Sequence, residues 1–194
     1  MNWVLFFLLI TLNWCMAQNT TKQITLGGGC FWCIEAAFEE AIGIESVISG
    51  FSGGEIKNPA YREVISGKTN HAEVCNITYN PQIISLKNIL EIFFLVHDPT
   101  TINRQGNDIG KHYRSIILYH YDEDLNLIKD ELEKYNKMYF ENKIVTEVQK
   151  LKAFFPAEEY HQQYYKNNND QPYCILVIEP KLQKAKSLLS RFYK

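Results

Sequence analysis

Residues 25–33 read TLGGGCFWC, and this stretch decides how the chain begins to fold. Residues 23–26 favour a short strand, which the three glycines follow. Apolar residues then recur at intervals of three and four over 31–41, as the buried face of a helix requires, and Gly43 ends that helix. Because glycine has no side chain, another molecule can approach the backbone between strand and helix closely. Cys30 therefore stands where a glycine turn becomes the start of a helix.

The position of Cys30 favours a reactive thiol. Unpaired backbone N–H groups and the positive end of the helix dipole stabilise an anion at a helix N-terminus. The thiolate is the nucleophilic form of cysteine, and such a position lowers the thiol pKa. The Lys and Ser/Thr of a phosphate-binding loop are missing, so the glycine run is weak evidence for a nucleotide site. The Cys30-x-x-Cys33 spacing by itself fits a redox pair, half of a zinc site or coincidence.

The segments after this stretch predict the rest of the fold. In order, they are a strand at 44–51, a turn or short helix from 58 to 67, a strand at 72–79, a helix from the Ser85 N-cap to near His97, a polar loop at 98–114 and a strand at 115–119. The resulting β-α-β-β-α-β order is that of ferredoxin-like folds, in which two helices cover one face of a largely antiparallel sheet. We therefore predict an α+β, ferredoxin-like (split βαβ) two-layer core.

C-terminal extensions follow this core. They comprise a helix at 122–142, a strand at 144–150, a helix at 157–167 and a final basic helix at 181–191 that docks on its own domain. No Pro/Gly/Ser-rich linker separates them from the core, so residues 18–194 are predicted to form a single catalytic domain. A net charge of −2 gives no overall field that would attract nucleic acid.

The first residues predict export. Residues 4–12 form an apolar run that is too short to span a bilayer, and it ends near the small residues Cys15 and Ala17. We expect a signal peptide at 1–17, cleaved before Gln18, and a periplasmic or secreted mature protein. The run lacks a preceding Lys or Arg, and a lipoprotein cut before Cys15 or a buried N-terminal element remain alternatives.

Export leaves four cysteines: Cys30, Cys33, Cys75 and Cys174. In an exported protein, four cysteines could form two structural disulfides. Cys75 on a strand and Cys174 in an apolar segment are expected instead to be buried, inert thiols.

Three further segments give the sequence its specificity: Asn58-Pro59-Ala60-Tyr61, His71-Ala72-Glu73-Val74, and residues 97–115, which read HDPTTINRQGNDIGKHYRS. Together with Gly29-Cys30-Phe31-Trp32, they closely resemble the signature segments of type A methionine sulfoxide reductases. The order and spacing match over roughly residues 23 to 180. The resemblance implies thiol-dependent reduction of methionine-S-sulfoxide, free or in proteins, and hence repair of oxidised proteins.

The resemblance assigns roles around the sulfoxide. Cys30 matches the nucleophile, and Glu73 matches the acid that protonates the sulfoxide oxygen. Tyr61 and Tyr113 match hydroxyls that hydrogen-bond this oxygen, and Asp108 matches a polar residue at the same site. A sulfoxide is a poor electrophile until its oxygen is protonated, and a carboxylic acid kept neutral by burial can supply the proton. The hydroxyls add donors aimed at the developing charge.

The resemblance also implies how the substrate is held and how the enzyme is recycled. Phe31 and Trp32 match apolar walls around the S-methyl group. Attack leaves Cys30 as a sulfenic acid. Many relatives carry resolving cysteines in a C-terminal tail, but the tail after Cys174 has none, so we expect Cys33 to form a disulfide with Cys30. Thioredoxin or another dithiol then reduces it. We expect no bound cofactor or metal, and a monomer.

Two alternatives from other classes stay open. A thioredoxin-like disulfide oxidoreductase could use Cys30 and Cys33, although residues 23–26 are short and partly polar for the buried strand that such folds need. A zinc module could use Cys30, Cys33, His71 and Cys75 as ligands. Among the other histidines, His161 is expected to be structural or to support the site, and His97 to fix the long loop.

Overall fold

The computed structural model describes residues 21–193, so the predicted signal peptide at 1–17 lies outside the described residues. The strands are Lys22–Gly27 (β1), Ile44–Ser52 (β2), Ala72–Tyr79 (β3), Arg104–Gln105 (β4), Asp108–Ile109 (β5), Ile116–Tyr119 (β6), Glu147–Lys150 (β7) and Phe154–Pro156 (β8). The helices are Phe31–Glu39 (α1), Tyr61–Ile65 (α2), Leu86–Val96 (α3), Asp124–Tyr139 (α4), Tyr164–Asn167 (α5) and Glu179–Leu188 (α6). No helix within residues 21–193 has the length and apolar character needed to cross a bilayer.

The strands of the main sheet lie in the order β7-β6-β1-β3-β2-β8. Neighbours are antiparallel except β6 and β7, which run parallel. Helix α1 packs on the sheet, and α3 and α6 pack against α1, so the main core lies on one face. A smaller cluster of Ala72, Val74, Ile116 and Leu118 covers the other face. The predicted α+β class is confirmed.

Helices α1 and α3 form where the sequence predicts them. Helix α1 buries one whole side and ends before Gly43, whose φ of +89° suits glycine and few other residues. Helix α3 begins after Ser85, whose hydroxyl accepts the backbone N–H of Asn88 at 3.2 Å, and ends before His97. These two elements place the glycine turn and the long loop at the same end of the sheet.

The predicted helix at 157–167 is wrong. A short 3-10 turn, Glu159–His161, and the one-turn helix α5 replace it, with Gln163 in the left-handed region at φ +51°. The cause is a buried carboxylate on α1: Glu35 accepts the backbone N–H groups of Gln163 and Tyr164 at 2.9 and 3.0 Å. Tertiary partners thus take hydrogen bonds that a continuous helix would have made within itself.

The C-terminal helix starts earlier than its predicted start at residue 181. A π-helical segment, Cys174–Ile178, runs directly into α6, and the helix buries Leu182 and Ala185. Its packing on α1 and α3 confirms that it docks on its own domain. Strand β8, which pairs with β2, was not predicted from the sequence.

Candidate active site

Cys30 is the N-cap of α1, directly after the glycine turn. Its φ and ψ of −58° and 127° lie outside the helical region, and Cys30 as a whole is 7% exposed. Gly29 has a φ of +97°, and a β-carbon there would lie 2.6 Å from the Gln105 side chain, so only glycine fits. The turn therefore packs Gly29 against Gln105 of the long loop and leaves Cys30 at the start of the helix.

The Cys30 thiol carries a pKa well above its ordinary value. Burial is the largest cause, and the ionised forms of Glu73 and Cys33 add to it. The Tyr173 hydroxyl and the Trp32 backbone N–H act in the opposite direction. The predicted lowering of this pKa is therefore wrong for the substrate-free site, because desolvation outweighs the helix N-terminus. The resting nucleophile is a protonated thiol.

Glu73 lies on β3 and is 1% exposed. Its Oε2 accepts the backbone N–H of Phe31 at 3.1 Å, which ties the carboxyl to the first turn of α1. Burial raises the Glu73 pKa to about 8, with a smaller contribution from the charge of Asp108, while the Phe31 N–H acts to lower it. The group is therefore mostly a neutral acid at pH 7, as the sequence analysis expected of a buried carboxyl.

Tyr61 and Tyr113 lie on two different elements, and both are close enough to Glu73 and Cys30 to be affected by their charge. Tyr61 begins α2, and Tyr113 ends a 3-10 turn in the long loop. Burial raises the pKa of Tyr61 to about 12 and also raises that of Tyr113, and the charges of Glu73 and Cys30 act on both hydroxyls in the same direction. Both hydroxyls thus stay protonated and available as donors within electrostatic reach of the thiol and the carboxyl.

Aromatic rings form one side of the site. The Phe31 ring lies 5.9 Å from Trp32 and 5.2 Å from His161, measured between ring centres. Trp32 stacks on Tyr164 at 3.6 Å, and its Nε1 donates to the His161 carbonyl at 3.2 Å. The His161 ring also lies 4.5 Å from Tyr61. The segment that Glu35 holds in place therefore completes the wall that Phe31 and Trp32 begin.

Tyr173 is a site residue that the sequence analysis missed. Its hydroxyl donates to Asp108 Oδ2 at 2.8 Å and lies 3.9 Å from the Cys33 sulfur. It also acts to lower the pKa of both thiols of the Cys-x-x-Cys pair. Nothing local marks this tyrosine, because its partners stand 65 and 140 residues away in the sequence.

Comparison with known proteins places this site in a family. The family profile described as "Peptide methionine sulfoxide reductase" matches residues 22–191. The chain belongs to this family. A peptide methionine sulfoxide reductase of Leptospira borgpetersenii is 53% identical over 163 residues, which cover 84% of this chain and 92% of the relative. The resemblance drawn from the signature segments is thereby confirmed, and with it the assignment as an oxidoreductase.

Solved structures of the family share the fold. The reduced form of Mxr1 from Saccharomyces cerevisiae superposes with a TM-score of 0.75 at 37% identity, covering 79% of this chain and 89% of that one. Mxr1 in complex with Trx2 gives a TM-score of 0.55 at 30% identity, covering 76% of this chain and 86% of that one. As a member of the peptide methionine sulfoxide reductases, the protein reduces methionine sulfoxide through a thiol, and the thioredoxin-like oxidoreductase alternative is set aside.

The zinc alternative does not fit the geometry. His71 uses both ring nitrogens elsewhere: Nδ1 accepts the Gly54 N–H at 3.1 Å, and Nε2 binds the Ile56 carbonyl at 2.7 Å. The Cys75 thiol donates to the Phe31 carbonyl at 3.3 Å. Within residues 21–193, no three His, Cys, Asp or Glu side chains are grouped so that they could hold a metal ion.

The remaining predicted residues have clear positions. His97 fixes the long loop as expected, because its Nε2 hydrogen-bonds Ser115 at 2.8 Å. Cys75 and Cys174 are buried, and they are free thiols, as are Cys30 and Cys33. The alternative of two structural disulfides is therefore not what the fold contains. His161 lies in the aromatic wall itself, and neither of its buried ring nitrogens has a hydrogen-bond partner among the described residues.

Proposed function

We propose that this methionine sulfoxide reductase acts on the S epimer of methionine sulfoxide, free or in proteins, with Cys30 as nucleophile and Glu73 as acid. The observation that carries the proposal is the position of Glu73. It is a buried carboxyl with a pKa of about 8, hydrogen-bonded to the first N–H of the helix that Cys30 caps. Acid and nucleophile are thus held at the same helix end, and both are neutral at pH 7.

The proton inventory of the reaction balances with these two groups. Glu73 gives its proton to the sulfoxide oxygen, and the thiol of Cys30 attacks as its own proton passes to the Glu73 carboxylate. Oxygen moves from the substrate sulfur to the Cys30 sulfur, which becomes a sulfenic acid, and methionine leaves. The hydroxyls of Tyr61 and Tyr113 donate to the oxygen while charge develops on it. Asp108 accepts the hydrogen of the Tyr173 hydroxyl and so holds the hydroxyl oxygen beside the Cys33 sulfur.

The aromatic wall supports recognition of the methyl group. Phe31, Trp32 and Tyr164 offer apolar faces to which a methyl group and a polarisable sulfur bind favourably. The S-methyl group would lie against this wall, while the oxygen points to Glu73 and the tyrosines. A site with donors on one side and an apolar wall on the other binds one epimer at sulfur better than the other epimer.

Cys33 is the resolving residue in this proposal. It lies three residues after Cys30, and both thiols lie within reach of the Tyr173 hydroxyl. Helical residues at this spacing have β-carbons about 5–6 Å apart, whereas a disulfide needs about 3.8 Å. Cys30 can close this gap because, as the N-cap, it lies outside the regular helix. A strained bond of this kind is readily reduced.

Thioredoxin, or a thioredoxin-like dithiol in the compartment of the enzyme, reopens the disulfide. The complex of the related Mxr1 with Trx2 supports this partner. The dithiol supplies both electrons, so the cycle needs no bound cofactor. We propose that the enzyme is cleaved before Gln18 and acts as a monomer outside the cytoplasm. There its catalytic domain, residues 18–194, repairs oxidised proteins. Its scaffold is ferredoxin-like, which the antiparallel strand order β6-β1-β3-β2 supports.

Single-turnover experiments on cysteine variants test the catalytic cycle. Cys33→Ser should release one equivalent of methionine at a near-normal rate and then stall with thioredoxin, and Cys30→Ser should release none. Cys174→Ser is the matched control and should cycle normally. Peptide mapping after one equivalent of substrate should find a Cys30–Cys33 bond. A Cys30–Cys174 bond, or full cycling without Cys33, would show that the resolver is wrong.

Two further measurements test the substrate and the location. The purified S and R epimers of N-acetylmethionine sulfoxide should differ strongly in turnover, with the S epimer consumed. N-terminal analysis of protein from the native host should find Gln18 at or near the start. An intact Met1 would refute export.

A further inference from the structure

Cys33 has a cationic neighbour that no part of the proposed cycle uses. The Nζ of Lys181 lies 3.6 Å from the Cys33 sulfur, within hydrogen-bond distance for a sulfur acceptor. The two residues are 148 positions apart in the sequence, and the packing of α6 on α1 brings them together. Cys33 is 2% exposed, so the thiol that the ammonium group meets is shielded from solvent, whereas Lys181 itself is partly exposed.

Lys181 has no carboxylate partner among the ion pairs of the described residues. Its neighbours on the same segment differ: Lys186 pairs with Glu40, and Arg191 pairs with Glu91 at 2.6 Å. An unneutralised ammonium beside a buried sulfur interacts more strongly than one in water, because the local dielectric is low. The charge of Lys181 is therefore available to the thiol.

The groups around Cys33 differ in the direction in which they shift the pKa of its thiol. Those that act on its charge or lie beside it are Lys181, Tyr173, Asp108, Cys30 and Cys174. Burial raises the pKa of the Cys33 thiol above its ordinary value, and the charge of Lys181 is the largest opposing influence, ahead of the Tyr173 hydroxyl. Asp108 adds to the rise. Without Lys181, the thiolate of Cys33 would lose its main source of stabilisation.

We propose that Lys181 is a positioning residue for the resolving step, in which its ammonium group faces the Cys33 sulfur and stabilises the thiolate that forms as Cys33 attacks Cys30. The inference rests on the proposed role of Cys33. The Cys33 thiolate attacks the sulfur of the Cys30 sulfenic acid; a sulfur–sulfur bond forms, the sulfur–oxygen bond breaks, and the hydroxide takes up a proton and leaves as water. The proton that Cys33 loses balances the one that the hydroxide gains.

The same charge assists the reopening of the disulfide. Cys30 is 7% exposed and Cys33 2%, so an external thiolate reaches the Cys30 sulfur more easily. Attack there expels Cys33 as a thiolate, and a stabilised leaving thiolate departs faster. Lys181 also borders a cavity of about 710 Å³ together with His97 and Gln105.

Thiol titration tests the proposal without any turnover. In a Cys30→Ser background, alkylation of Cys33 by iodoacetamide is followed against pH by mass spectrometry for the parent, Lys181→Met and Lys181→Arg. Lys184→Met is the matched control, because Lys184 lies on the same helix and borders the same cavity. Lys181→Met should shift the midpoint upward by about one unit, equivalent to about tenfold slower alkylation at pH 8, and the Arg and Lys184 variants should stay near the parent.

A single-turnover assay in the otherwise unaltered enzyme gives the second readout. Lys181→Met should slow disulfide closure about tenfold at pH 7.5, well beyond any change in methionine release, and raising the pH should restore closure. An unchanged alkylation profile in Lys181→Met, or an equal shift in Lys184→Met, overturns the proposal. Since the titration uses no substrate, its outcome is separate from failure of the proposed cycle, which would appear as missing methionine or as a bond to Cys174.

Discussion

Replacement of Glu73 by glutamine tests the contribution of the acid while leaving the rest of the site unchanged. The amide has nearly the same shape, and its oxygen can still accept the Phe31 N–H that the carboxyl accepts at 3.1 Å. The amide cannot transfer a proton to the sulfoxide. We therefore expect Glu73→Gln to fold and to bind substrate, but to lose the chemical step.

The size of the loss follows from the environment of the carboxyl. With a pKa of about 8, Glu73 is about 90% protonated at pH 7, whereas a carboxyl at its ordinary pKa of 4.5 is about 0.3% protonated. Burial thus enriches the working acid about 300-fold, equivalent to about 3.4 kcal/mol. Loss of general acid catalysis costs about 10²–10⁴ in rate, or about 2.7–5.4 kcal/mol in the barrier.

The assay is methionine release in a single turnover, with enzyme in excess and no reductant. The wild-type rate should decline as the pH rises through about 8, where Glu73 loses its proton, and this decline should vanish in Glu73→Gln. Glu131→Gln, which removes another buried carboxylate outside the site, is the control and should behave as wild type. Wild-type methionine release by Glu73→Gln near neutral pH would refute the assignment of the acid.

The remaining predictions concern stability and the hydroxyl that joins the two thiols. The unfolded chain loses the Glu73 proton near pH 4.5 and the folded chain near pH 8, because burial raises the pKa in the folded state. The stability of the wild type therefore falls as the pH rises from 4.5 to 8, and Glu73→Gln should remove this loss. In thermal unfolding at pH 5 and pH 8.5, the variant should have a higher Tm than the wild type at pH 8.5 only. Tyr173→Phe removes the hydroxyl that donates to Asp108 beside Cys33 and should slow both methionine release and disulfide closure about tenfold. Wild-type rates for both steps in stopped-flow and quench experiments would contradict a role for the hydroxyl. Glu35→Ala strands the donors that its carboxylate pairs and should cost about 3 kcal/mol, a fall in Tm of about 6–12 °C; an unchanged melting curve would show that the 163–164 segment is held by other contacts.

The sequence by itself determined the elements whose cause is local. The strand, the three glycines and the helix that Cys30 caps follow from periodicity and from residues that only certain backbone angles accept, as Gly43 shows with its positive φ. Ser85 marks the start of α3, also for a local reason, because the side chain of an N-cap accepts a hydrogen bond from an N–H three residues later. The signature segments identify the family from the sequence alone, because their residues and spacing can be recognised without knowing which residues are in contact.

Only the tertiary structure decided the features that depend on distant partners. The 157–167 segment is not a helix because Glu35, more than 120 residues earlier, captures its backbone N–H groups. Tyr173 and Lys181 join the site only when the C-terminal helix packs beside Cys33. The same holds for protonation: the helix position of Cys30 favours a low pKa, but burial reverses the sign. Desolvation is a property of everything that surrounds a group, so no local sequence pattern contains it.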